Sequence, residues 1–120
     1  MKSQFLTELT TIWTTDKSAV LTHPLVYEST FLQRTIHVPE GFSTDFASVP
    51  RLPVLYAAVG NIAHAPAVVH DYLYSSREVS RREADEVFYE AMMVSGVSKW
   101  KALPMFWAVR AFGWRFYDKD

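Results

Sequence analysis

No cysteine occurs in this chain. Disulfide bracing, zinc–thiolate centres and thiol nucleophiles are therefore excluded. Any metal site is left to carboxylate, imidazole and carbonyl oxygen. Neither charge sign is in strong excess: 12 Lys and Arg face 13 Asp and Glu, for a formal net charge of -1. Such a balance gives no basic surface for nucleic acid. No uninterrupted apolar run reaches the roughly 18 residues that a membrane-crossing helix needs. The start, Met1-Lys2-Ser3-Gln4-Phe5, lacks the apolar core of a secretion signal. The expectation is a protein with no signal peptide and no transmembrane helix, made in a cytoplasm.

What is present points to a folded chain. With 120 residues, 49% hydrophobic and 21% charged, it can bury a core and form one domain over residues 1–120. Residues 4–13 mix Thr with Phe, Leu, Ile and Trp, which favours strand. Residues 18–28 read as extended, with Pro24 confining them to an edge or a break. Residues 32–38 alternate well enough for a third strand. His23 and His37 fall on the polar face. The predicted class is α+β: a small N-terminal antiparallel sheet of about three strands, then a bundle of three to four helices. Residues 1–40 are mainly β and 41–120 mainly helical.

Pro39-Glu40-Gly41 ends the sheet. In the stretch that follows, Asp45 suits the cap of a short helical turn, and Pro50 and Pro53 keep that turn short. Two readings stand side by side. Asp45 caps a structural corner and pairs with Arg51, or the loop carries an acid into the pocket of His70. Residues 54–60 read as a short helix stopped at Gly60-Asn61. A longer one runs from about Ala63 or Pro66 to Ser75, with Ala67, His70, Asp71 and Tyr74 on one face.

Ser80-Arg81-Arg82-Glu83 is a capping box. Ala84, Val87, Phe88, Ala91 and Met92 then form the stripe of a packed helix, with Asp85 beside it near the helix N-terminus, and Gly96 ends it. The last helix spans 99 to about 113, with Ser98 as its cap and Pro104 as a kink or an early-turn start. Its apolar residues occupy more than one face, interrupted by Arg110 and Arg115. Either this helix is central in the core, or Trp100, Trp107 and Trp114 line a partner or membrane surface.

The short link at 75–79 makes the His70 and Asp85 helices antiparallel neighbours. His70 lies about two turns before the link and Asp85 about one turn after it. Asp85 can then accept a hydrogen bond from one nitrogen of His70, fixing the tautomer and leaving the other nitrogen to take a proton from water. Asp71, pointing about 100° away along the helix, suits a hard cation, and Tyr74 suits the orienting of a carboxylate. These are the parts of metal-assisted hydrolysis. The same groups also suit a buried polar network that fixes the fold.

Two resemblances follow from these motifs. Residues 38–51, VPEGFSTDFASVPR, then His70-Asp71-Tyr72-Leu73-Tyr74, then Ala84-Asp85-Glu86-Val87-Phe88, resemble a family of small phage and prophage proteins catalogued as a domain of unknown function. That resemblance implies a late-gene product of the tail or lysis region, found in the virion or the host cytoplasm. Its partners would be phage structural proteins or a host envelope component. Locally, His70-Asp71-x-x-Tyr74 with Asp85 is similar to the core of phospholipase A2, especially its viral-capsid form. This second likeness implies His70 as the base, Asp71 as a ligand of Ca2+, and Tyr74 and Asp85 as orienting groups. The glycine-rich calcium loop of that family has no good counterpart here. The leading expectation is a virion, tail-assembly or host-interaction component built around a His-Asp network. The alternative is a calcium-type hydrolase of lipid or other envelope esters.

Overall fold

The computed structural model describes residues 2–15, 18–44 and 64–117. Six short strands come first: β1 (Gln4–Phe5), β2 (Thr11–Trp13), β3 (Ala19–Leu21), β4 (Leu25–Ser29), β5 (Arg34–Val38) and β6 (Ser43–Thr44). Among the described residues four helices follow: α1 (His64–Ser76), α2 (Arg81–Val94), α3 (Lys99–Phe112) and the single turn α4 (Trp114–Tyr117). The class is α+β, as the sequence leads one to expect.

The β region forms two sheets rather than one. Their orders are β1-β4-β5 and β2-β3-β6, every pairing antiparallel. Each of the first two extended stretches is broken in its middle. Residues 4–13 divide into β1 and β2, and residues 18–28 divide at His23-Pro24 into β3 and β4. Proline cannot donate to a ladder, so the break falls where the chain leaves one sheet for the other. In β4 and β5 alternate residues turn inward: Leu25, Tyr27 and Ser29, then Ile36 and Val38, are buried. His23 and His37 are exposed. The last strand, β6, pairs Ala19 with Thr44 and Val20 with Ser43, and it buries Thr44.

Helix α2 begins as its sequence dictates. The Ser80 hydroxyl accepts from the Glu83 N–H at 3.1 Å, and the Glu83 carboxylate accepts from the Ser80 N–H at 2.9 Å. At the other end Gly96 takes φ 94°. Its N–H bonds the Met93 carbonyl and that of Val97 bonds Met92, which closes the exposed carbonyls of the last turn. The stripe Ala84, Val87, Phe88, Ala91 and Met92 is fully buried. Each large side chain there contributes about 1.5–3 kcal/mol on leaving water. In α3 Pro104 lies within the helix, and Ser98 caps it without a side-chain hydrogen bond.

Helix α1 occupies the centre. It packs on β4 and β5 of one sheet, on β6 of the other, and against α2. Val68, Val69 and Leu73 fill the core between them. Glu90 of α2 binds the tip of the β4–β5 hairpin. Its carboxylate accepts from Tyr27 Oη at 2.7 Å, Thr30 Oγ1 at 3.1 Å and the Phe31 N–H at 2.9 Å. Helices and sheets are thus joined by polar contacts as well as by the core.

Candidate functional site

Asp85 is the hub of the molecule's one buried charge cluster among the described residues. It is 0% exposed, and His70 beside it is 2% exposed. His70 Nε2 lies 2.7 Å from Asp85 Oδ1, and Tyr74 Oη donates to the same oxygen at 2.6 Å. Arg110 of α3 donates from Nη1 to Oδ2 at 2.8 Å. Arg81 Nη1, one turn before Asp85 on α2, stands 3.6 Å from Oδ2. One carboxylate therefore gathers groups from three helices.

The placement follows from helix geometry. His70 and Tyr74 are four residues apart on α1 and face α2 together. Asp85 falls beside the apolar stripe of α2, so packing that stripe carries the carboxylate inward. The His70 ring lies between Tyr74 and Phe88, with centroids 4.1 and 4.8 Å away. Arg81 also donates to the carbonyls of Val109 at 3.0 Å and Arg110 at 3.1 Å. It thereby ties the start of α2 to the last turn of α3, where the Val109 carbonyl also accepts the Gly113 N–H at 2.8 Å.

Burial by itself would push the Asp85 carboxyl up. The hydrogen bonds from His70, Tyr74 and Arg110 outweigh it and hold the group below the usual aspartate value. The Tyr74 hydroxyl moves the opposite way. Burial raises it first, and the neighbouring Asp85 charge raises it further.

Asp71 turns away from this cluster, toward β6, where Thr44 Oγ1 donates to its Oδ2 at 2.6 Å. The proposed metal partner Asp45, and Arg51 with it, lie outside the described residues, as does the short helix expected over 54–60. Among the described residues no group of three or more His, Asp or Glu is placed to hold a metal ion. Asp71 and Thr44 do not by themselves supply the oxygens that calcium takes. No step below runs through a metal.

The sequence did bring His70, Tyr74 and Asp85 together, and the structure does the same. It also adds Arg81, Arg110 and Thr44. Arg81 was legible as the residue four before Asp85, and Arg110 as a charge interrupting an apolar helix. The tryptophans stand apart from the cluster. Trp100 is 82% exposed, Trp107 64% and Trp114 51%.

A family model described as "Protein of unknown function (DUF1353)" matches residues 19–109. The chain belongs to this family. The match takes in β3 through most of α3, and with them every residue of the Asp85 cluster except Arg110. Two curated relatives of this DUF1353 chain come from Sinorhizobium fredii. The uncharacterized protein y4jT is 31% identical over 80 residues, covering 63% of this chain and 23% of the relative. The uncharacterized protein y4iH is 42% identical over 78 residues, covering 61% of this chain and 31% of the relative. The chain thus spans about a quarter to a third of the length of these relatives. No solved structure matches.

Proposed function

We propose that this protein is a non-catalytic component of a phage or prophage assembly that works by contact, through the aromatic face of its last helices. The observation that carries the reading is the outward display of Trp100 and Trp107 from α3, whose other side packs on the core, and of Trp114 from α4. Exposed large apolar groups in one patch mark interaction surfaces. The Asp85 cluster supports the same reading from inside. Its oxygens, carried on α2, already receive donors from α1 and α3, so its polar groups serve to join those three helices. The phage setting is supported by the ordered motifs at 38–51, 70–74 and 84–88.

The test uses a phage that carries this gene. Trp107→Ser should leave the fold intact and cut the yield of infectious particles. An unchanged yield with the protein folded rejects the reading.

One observation favours a second reading, hydrolysis of an ester. His70 meets Asp85 through Nε2, which lies 2.7 Å from Oδ1. A histidine so held takes a proton from water at Nδ1 while Asp85 steadies the imidazolium that forms. Release of fatty acid from phospholipid vesicles, compared between wild type and His70→Gln, separates the readings. Turnover lost in the variant supports hydrolysis, and equal background release in both rejects it.

A further inference from the structure

We infer that the outer face of α3 and α4 is a lipid-binding surface that lies flat on an anionic membrane, with Trp100, Trp107 and Trp114 at headgroup level. This inference rests on the interaction reading above and names its partner.

The spacing sets the face. The three tryptophans recur every seven residues, close to two helical turns. Gly113, between α3 and α4, keeps a helical backbone at φ -65°, ψ -20°, so the row continues across the junction. Pro104 and Ala111, also exposed, fall along it.

Charge chooses among occupants. Residues 99–117 contain Lys99, Lys101, Arg110 and Arg115 and no acid. Arg110 is committed to Asp85. Lys99 and Lys101 are exposed and flank Trp100. A second copy docked on this face about a two-fold axis would set like charges against each other. Anionic headgroups would pair with them instead.

Length sets the orientation. The 14 residues of α3 span about 21 Å, short of the roughly 30 Å hydrocarbon core. None of the described helices is long and apolar enough to cross a membrane. A short helix with a tryptophan row outward and lysines beside it suits the interface plane, and tryptophan favours that depth.

The test is flotation of the full chain with vesicles of phosphatidylcholine alone and of phosphatidylcholine mixed with phosphatidylglycerol. The expected result is flotation with the mixed vesicles, a blue shift of tryptophan emission, and weakening by salt. Trp100→Ser and Trp107→Ser should each lower partitioning about tenfold with an unchanged circular dichroism spectrum. Lys99→Gln and Lys101→Gln should each lower it about fivefold on the anionic vesicles only, a readout that loss of the aromatic surface cannot mimic. Wild type left at the bottom of both gradients overturns the proposal, as does flotation of the double tryptophan variant at the wild-type level. Self-association in sedimentation that Trp107→Ser abolishes, without flotation, overturns the lipid surface and leaves the interaction reading standing. Wild type that floats with neither vesicle, together with a normal particle yield from Trp107→Ser, removes both.

Discussion

Tyr74 of α1 and Gly113 at the α3–α4 junction are matched: a Cβ on Gly113 would overlap the Tyr74 hydroxyl, and the Val109 carbonyl oxygen as well. That hydroxyl is the one that donates to Asp85. The backbone of Gly113 is ordinary helix, so glycine is needed there for space and not for its φ.

Gly113→Ala should therefore cost about 1–3 kcal/mol through overpacking. Tyr74→Phe should cost about 1.5–3 kcal/mol, the range for a hydrogen bond to a charged acceptor. The double variant should lose less than the sum, because phenylalanine has no hydroxyl to collide with. Urea unfolding of the four proteins in this cycle checks it. Strict additivity would show that the clash works through other atoms.

Acid should destabilise the fold through Asp85. Unfolded, the carboxyl titrates near 3.8, and folded it sits lower. Its contribution is complete above the unfolded value and disappears as pH falls through the folded one. Glu90 acts with the same sign. Burial raises it, and the Tyr27 hydroxyl and Phe31 N–H more than reverse that, from an unfolded value of 4.5. Unfolding free energies measured from pH 6 downward should fall below about pH 4.5. Asp85→Asn should flatten that fall in part, and adding Glu90→Gln should flatten it further. An unaltered acid limb in Asp85→Asn would contradict the assignment.

Arg110 holds the second oxygen of Asp85. Arg110→Ala leaves Arg81 as the cation nearest Oδ2, at 3.6 Å. The expected loss is about 1.5–3 kcal/mol, because a buried carboxylate forfeits its closest cationic donor. Arg110→Ala together with Asp85→Asn should cost less than the two changes added, since the charge that needed Arg110 is gone. Thermal melts of the three variants decide this.

Much of the helical half was legible because its signals are local. The Ser80–Glu83 box, the 3.6-residue stripe after it and Gly96 lie within one stretch, and each acts through near neighbours. The His70–Asp85 pair could be placed because a short link fixes how two helices run. The two sheets were harder. Nothing local in residues 4–13 shows that Phe5 will pair with Tyr27 while Thr11 pairs with Leu21. Those choices depend on how the whole chain closes. Arg110 stood out in its apolar helix, but what it pairs with was hidden for a similar reason. Its partner is 25 residues away, and only the packing of α3 on α2 reveals it.

The Glu90 contact has a consequence for how the molecule comes apart. Strand β4 gives a hydroxyl from Tyr27, and the turn after it gives a hydroxyl from Thr30 and the N–H of Phe31, to one carboxylate on α2. To lift the hairpin from the helix, all three bonds must break at once, and the fully buried Tyr27 ring must be wetted. Neither half has a cheap route to partial opening. Heat should release strands and helices in one cooperative step, with far-ultraviolet ellipticity and Tyr27 exposure changing at the same temperature.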